Sequence, residues 1–112
     1  MLFRSNVVKS GTLDVPPELL DQYGAVSEQV VSAMAEGVQR QFAVDAALAV
    51  TGIAGPTGGT AEKPVGTVWL AARYRSESRA LKRMFPGDRN EIRARAAQAA
   101  LDLLRRLLVD KP

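Results

Sequence analysis

From Thr51 to Pro64 the chain reads Thr-Gly-Ile-Ala-Gly-Pro-Thr-Gly-Gly-Thr-Ala-Glu-Lys-Pro. Four glycines and two prolines in that stretch cannot sustain a helix, so a long loop is required here. A nearly continuous apolar run, Ala43 to Val50, comes immediately before it and is too short for a free-standing helix. Its brevity and the glycines that follow predict a buried strand. Val65 to Tyr74, with its Val, Thr and Trp, predicts the next strand. A strand, a long glycine loop and a second strand exclude a purely helical bundle and point to an α/β architecture. The loop is not a P-loop, because no Gly-Lys-Ser/Thr follows and the next element is a strand. The same topology excludes a dinucleotide fingerprint. Taken alone, the glycines fit either a plain turn or a backbone cradle that approaches an anion closely.

The remaining pattern fills in helices around this core. Val15-Pro16-Pro17-Glu18 opens a short helix, with proline at the first helical position where its missing N–H is harmless. Tyr23-Gly24 should stop it. Ser27 predicts an N-cap, and Val30, Met34 and Val38, flanked by Val31, Ala35 and Phe42, trace the packed face of an amphipathic helix. Arg75-Ser76-Glu77-Ser78 should turn the chain into a strand from Arg79 to Phe85. Asp88 with Glu91 three residues on predicts a capping box that starts a long helix, buried along Ile92, Ala96, Ala100, Leu103 and Leu107. Residues 2–8 read as a further strand. The expectation is a mixed β-sheet of about four strands with packed helices, one domain over residues 1–112.

Composition narrows the chemistry. Histidine and cysteine are both absent. This removes the commonest general base, the thiolate nucleophile and disulfides, and leaves Ser, Thr, Lys, carboxylates and backbone N–H groups for any catalysis. The net charge of +3 is mildly basic and suits an anionic small ligand. The basic residues, densest from Arg73 to Arg106, are interleaved with acids and few aromatics accompany them, so no nucleic-acid partner is expected. An RNA-binding α/β module would rest on the basic balance alone. No apolar run reaches membrane-span length and Met1-Leu2-Phe3-Arg4 is not a secretory signal. The expectation is a cytoplasmic protein without a membrane partner.

The wording of the loop is more specific than its composition. Thr51-Gly52-Ile53-Ala54-Gly55-Pro56, Gly58-Gly59 and Glu62-Lys63-Pro64-Val65-Gly66-Thr67-Val68 together resemble the signature of the CinA C-terminal domain family. Gly24-Ala25-Val26-Ser27-Glu28 resembles a second block of that family. Ser5-Asn6-x-x-Lys9 resembles a third, and Gly87-Asp88-Arg89 a fourth, in the family's order. The resemblance covers nearly the whole chain. It implies an α/β sandwich that deamidates nicotinamide mononucleotide to nicotinic acid mononucleotide and ammonia. A serine activated by a lysine does this without metal or cofactor. A lysine serves as base when burial or nearby positive charge brings its pKa toward neutrality.

Carried over residue by residue, Lys9 matches the family's catalytic lysine. Asn6, Thr51, Gly52, Gly55, Gly58, Gly59 and Arg89 match substrate-binding positions. Read without the resemblance, Lys9 is a solvated lysine after a strand, Thr51 an ordinary strand exit and Arg89 a surface arginine. Loop amides beside Thr51 would orient the carboxamide or hold an oxyanion. Arg89, in a first helical turn, would meet the substrate phosphate. Two departures stand out. The family's Glu-Ser-Cys-Thr-Gly-Gly block, which carries the serine, does not occur in these residues, and Arg4 stands where the family has tyrosine. The expectation is therefore an amidohydrolase domain lacking its first strand-helix segment and inactive alone. The alternative is a non-catalytic nucleotide-binding or assembly module. An absent segment would leave a sheet edge and an apolar face open, which predicts a homo-oligomer.

Overall fold

The computed structural model describes residues 15–109. Three helices and three strands follow in the order α1 (Pro17–Tyr23), α2 (Glu28–Phe42), β1 (Ala46–Gly52), β2 (Thr67–Tyr74), β3 (Glu77–Met84) and α3 (Arg89–Val109). The α/β class is as expected. Among the described residues the sheet has three strands, in the order β1-β2-β3, and both pairs are antiparallel. The expected sheet was mixed and of about four strands. Its fourth strand, residues 2–8, lies outside the described residues, and the described pairs are hairpin partners, which are antiparallel by construction.

Strand alternation sorts the core into two layers. Ala47, Ala49 and Ala71 pack with Val30, Val31, Met34, Ala35 and Val38 of α2. Val50, Val68, Leu70 and Ala72 pack with Ile92, Ala96, Ala100, Leu103 and Leu107 of α3. The sheet thus lies between the two helices. Small alanines face α2 and larger aliphatics face α3. Truncating a fully buried side chain such as Met34 or Leu70 would cost about 2–5 kcal/mol. β3 is the exposed strand of the three, guarded by Glu77, Arg79, Lys82 and Arg83 along its length.

Element ends follow local chemistry. Pro17 occupies the start of α1, and the Gly24 N–H closes it on the Leu20 carbonyl at 2.9 Å. The Ser27 hydroxyl accepts from the Val30 N–H at 3.3 Å and donates to the Gly24 carbonyl at 2.8 Å. The Asp88 box is complete. Asp88 Oδ1 accepts from the Glu91 N–H at 2.9 Å and Glu91 Oε1 accepts from the Asp88 N–H at 3.2 Å. Several boundaries differ from expectation: β1 runs Ala46–Gly52 rather than 43–50, β2 begins at Thr67 rather than Val65, and β3 runs Glu77–Met84 rather than from Arg79 to Phe85. Ala43 ends α2 in the left-handed region, at φ 51°, and the Asp45 carbonyl receives the Arg75 N–H, so β1 begins only at Ala46. Phe42, expected on the packed face, is 50% exposed in the last turn before that cap.

Candidate active site at the loop end of the sheet

The chain enters β1 directly from the end of α2 and enters α3 directly from the end of β3. The N-termini of α2 and α3 therefore lie at the same end of the sheet as the 53–66 loop. Their free N–H groups and dipoles make that end favourable to negative charge.

The loop is an excursion from a hairpin whose ladder runs one step past β1. The Ile53 N–H donates to the Thr67 carbonyl at 2.9 Å and the Gly66 N–H to the Ile53 carbonyl at 2.7 Å. Beyond that point three side chains tie it down. The buried Thr51 hydroxyl donates to the Ala25 carbonyl at 2.8 Å. Lys63 Nζ donates to the Tyr23 carbonyl at 2.9 Å. An Arg89 guanidinium N–H donates to the Gly55 carbonyl at 3.0 Å. Thr60 and Lys63 close a turn inside the loop, through the Thr60 N–H to the Lys63 carbonyl and the Lys63 N–H to the Thr60 hydroxyl, each at 2.9 Å.

Glycine is needed here for space as well as conformation. A Cβ on Gly55, at φ +81°, would stand 2.6 Å from a Val65 methyl, and one on Gly59 would stand 2.7 Å from the Val65 nitrogen. An added Cβ would force the Val65 side chain to shift at Gly55 and the backbone itself to shift at Gly59.

A cleft of about 450 Å³ opens beside the loop on the α2 side, lined among others by Tyr23, Ser27, Lys63, Thr67, Trp69 and Lys82. Its buried hydroxyls are already occupied: Ser27 by Gly24 and Val30, and Thr67 by the Pro64 carbonyl at 2.6 Å. Glu28 and Glu62 also line it and balance Lys63 and Lys82, so its distinctive offering is the flat aromatic surface of Trp69 and Tyr23.

The predicted positions divide accordingly. Thr51 and Arg89 are brought to the loop from its two sides, Thr51 from the α2 layer and Arg89 from the head of α3. Gly52 closes β1, and Gly55, Gly58 and Gly59 lie in the loop itself. Arg89 spends one of its five donors on Gly55 and so holds the loop as well as carrying charge. None of these residues lines the cleft. Lys9 and Asn6 lie outside the described residues. Lys63, Trp69 and Lys82 had been assigned no role from sequence. Alternation along Val65–Tyr74 puts Trp69 on the α2 face with Ala71, but the register that sets Lys82 opposite Trp69 comes only with the hairpin. Among the described residues no three ligating side chains gather for a metal, and no helix is long and apolar enough to cross a membrane.

The family model for the CinA C-terminal domain matches residues 3–108. The chain belongs to the CinA C-terminal domain family. A CinA-like protein of Gemmatimonas aurantiaca is 55% identical over 102 residues, covering 91% of this chain and 24% of the relative. One from Mycolicibacterium paratuberculosis is 50% identical over 113 residues, covering 95% and 26%. The chain thus spans about a quarter of the length of these curated relatives. Among solved structures, the competence damage-inducible protein A of Klebsiella pneumoniae superposes with a TM-score of 0.89 at 36% identity, over 96% of this chain and 67% of that one. The competence/damage inducible protein CihA of Agrobacterium tumefaciens gives 0.87 at 42% identity, over 92% and 64%. In this CinA domain the Gly24–Glu28, Thr51–Val68 and Gly87–Arg89 blocks, far apart in sequence, are those joined by the Thr51–Ala25 and Arg89–Gly55 bonds.

Proposed function

We propose that this chain carries the substrate-holding part of a nicotinamide-nucleotide amidohydrolase, and that these 112 residues alone do not turn substrate over. One observation carries the reading: three separated sequence blocks are hydrogen-bonded to one another around a single ordered glycine loop. Converging helix N-termini and Arg89 offer positive potential for the phosphate. The cleft beside Trp69 and Lys82 offers a flat surface for the pyridine. Loop amides near Thr51 would stabilise the oxyanion that forms when a nucleophile adds to the carboxamide. Lys9 would serve as the base for that nucleophile, and the released nitrogen would leave as ammonia. The serine block is absent from the 112 residues, which supports inactivity of the isolated chain.

Two measurements on the full chain test this. Titration with nicotinamide mononucleotide should give saturable binding, weakened several-fold by Arg89→Met. Ammonia release from the same nucleotide should stay at background. Absence of binding would remove the pocket; robust ammonia release would remove the claim of a missing nucleophile. A second reading keeps the same loop and Arg89 contacts as a nucleotide-binding module with no catalysis, and the cleft's hydroxyls, already hydrogen-bonded within the fold, agree with it. Adding a relative's serine-bearing segment in trans separates the two: restored ammonia release supports the amidohydrolase, and continued silence with intact binding supports the module.

A further inference from the structure

Where α1 passes into α2, three consecutive carbonyls are each taken by a side chain from a different place. Lys63 Nζ of the loop donates to Tyr23 at 2.9 Å, the Ser27 hydroxyl to Gly24 at 2.8 Å, and the Thr51 hydroxyl of β1 to Ala25 at 2.8 Å. The Tyr23 carbonyl needs such a donor. It lies in the last turn of α1, where carbonyls have no partner within the helix, and that turn has no basic residue of its own. Lys63 supplies the missing cation from 40 residues away.

Both ends of this bond are shaped for it. In the loop, the Lys63 N–H and carbonyl are both bonded to Thr60, so the backbone from which the side chain reaches is fixed. At the receiving end Gly24 leaves room. A Cβ there would stand 3.1 Å from Lys63 Nζ and press on the ammonium, and the φ of +80° disfavours a side chain on separate grounds. The bond also joins two walls of the cleft. Tyr23 and Ser27 line it from the α1–α2 side, Lys63 from the loop, and Trp69 and Lys82 from the sheet. Thr51 ties the α1–α2 connection to the sheet, and Lys63 ties it to the loop.

We propose that Lys63 is the positioning residue of this cleft. It acts through the Tyr23 carbonyl rather than on the ligand. With the ammonium committed there, the wall that carries Tyr23 is already in place when a flat ring enters beside Trp69. Without it, the ligand itself has to order the α1–α2 connection against the loop, and that ordering is subtracted from affinity. The inference rests on the reading of the cleft as the pyridine pocket and adds which residue sets the pocket's shape.

The chain has one tryptophan, Trp69, and no cysteine, so its tryptophan emission reports on this cleft alone and a single introduced thiol can be modified selectively. Nicotinamide mononucleotide is titrated into the full 112-residue chain and its variants, with Trp69 emission as the readout. Lys63→Met keeps the stem and removes the ammonium, and should raise the dissociation constant about tenfold. Hydrogen exchange should rise together in residues 23–27 and 60–66. Lys63→Cys should bind as weakly. Alkylating it with 2-bromoethylamine rebuilds an ammonium of lysine length and should recover most of the loss, whereas iodoacetamide should recover none. Gln39→Ala removes comparable bonds at the opposite turn. It should lower the melting temperature at least as much as Lys63→Met and leave the dissociation constant unchanged, which separates placement from stability. Equal affinity in wild type and Lys63→Met would overturn the positioning role and leave the pocket standing. So would an affinity that the aminoethyl group fails to restore, or one that Gln39→Ala weakens as much. No saturable response in the wild type would overturn the reading of the cleft, and the role of Lys63 falls with it.

Discussion

The two connections of the sheet solve the same problem at very different length. β2 and β3 are joined through Arg75 and Ser76 alone. β1 and β2 are joined by residues 53–66. The short turn is held by neighbours. The Arg75 N–H donates to the Asp45 carbonyl at 2.7 Å, while Gln39 Nε2 donates to the Asp45 and Arg75 carbonyls and Gln39 Oε1 accepts from Arg73 Nε. The long loop is held by Thr51, Lys63 and Arg89, whose partners come from the head of α2, the end of α1 and the loop itself. Closing an antiparallel pair needs only two residues. A longer loop costs more chain entropy to order, and loops kept ordered at that cost carry function disproportionately. The difference sets a loop end tied together by distant segments against a turn end held by its immediate neighbours.

Substitutions at the two ends would sharpen or break that contrast. The largest effect is expected at Gly66, at the root of the loop. Its φ is +97° and an added Cβ would stand 2.4 Å from the Phe85 carbonyl oxygen. Gly66→Ala should cost about 3 kcal/mol or more in urea denaturation, through backbone strain and overpacking. Thr51→Val comes next. It keeps the shape but leaves the Ala25 carbonyl without its donor, for a loss of about 1–3 kcal/mol. Hydrogen exchange should rise in the loop and in residues 24–27 together. If only one of the two segments loosens, the hydroxyl is not the link between them.

Arg89→Met removes an exposed side chain's bond to Gly55 and should cost only about 0.5–1.5 kcal/mol of stability. Its main readout is earlier proteolytic cutting in the loop, with the melting temperature nearly unchanged. The smallest effect is expected at the short turn. Arg75 holds φ 54°, a conformation that asparagine and glycine tolerate better. Its guanidinium also lies 5.1 Å from the Tyr74 ring centroid. Partial relief of a strain of about 1–2 kcal/mol should nearly cancel the loss of a contact worth about 0.5–1 kcal/mol in Arg75→Asn. A large change there, or a small one at Gly66, would reverse the assignment of the two ends.

Much of this was legible before any coordinates. The proline start of α1, the Ser27 cap, the Asp88–Glu91 box and the two buried faces of α2 and α3 are local signals, and each stands where its residues placed it. The boundaries that moved did so for non-local reasons. Ala43–Asp45 looked like strand because it is apolar, but the helix end and the Arg75 turn claim its backbone. Of the candidate site, the loop, Thr51 and Arg89 could be named from the family wording. The positions of Lys63 and Lys82 could not, because one reaches across to Tyr23 and the other is set by hairpin register.

The sequence by itself determined the elements, their caps, the need for a long loop after β1 and the family. Those depend on neighbours within a few residues or on wording that survives in one dimension. The tertiary structure decided which carbonyl each loop side chain satisfies, that the helix heads meet the loop at one end, and which face of the sheet each helix covers. Each of these depends on the packing of segments dozens of residues apart, where burial and the need to pair every polar group act only after the layers have come together.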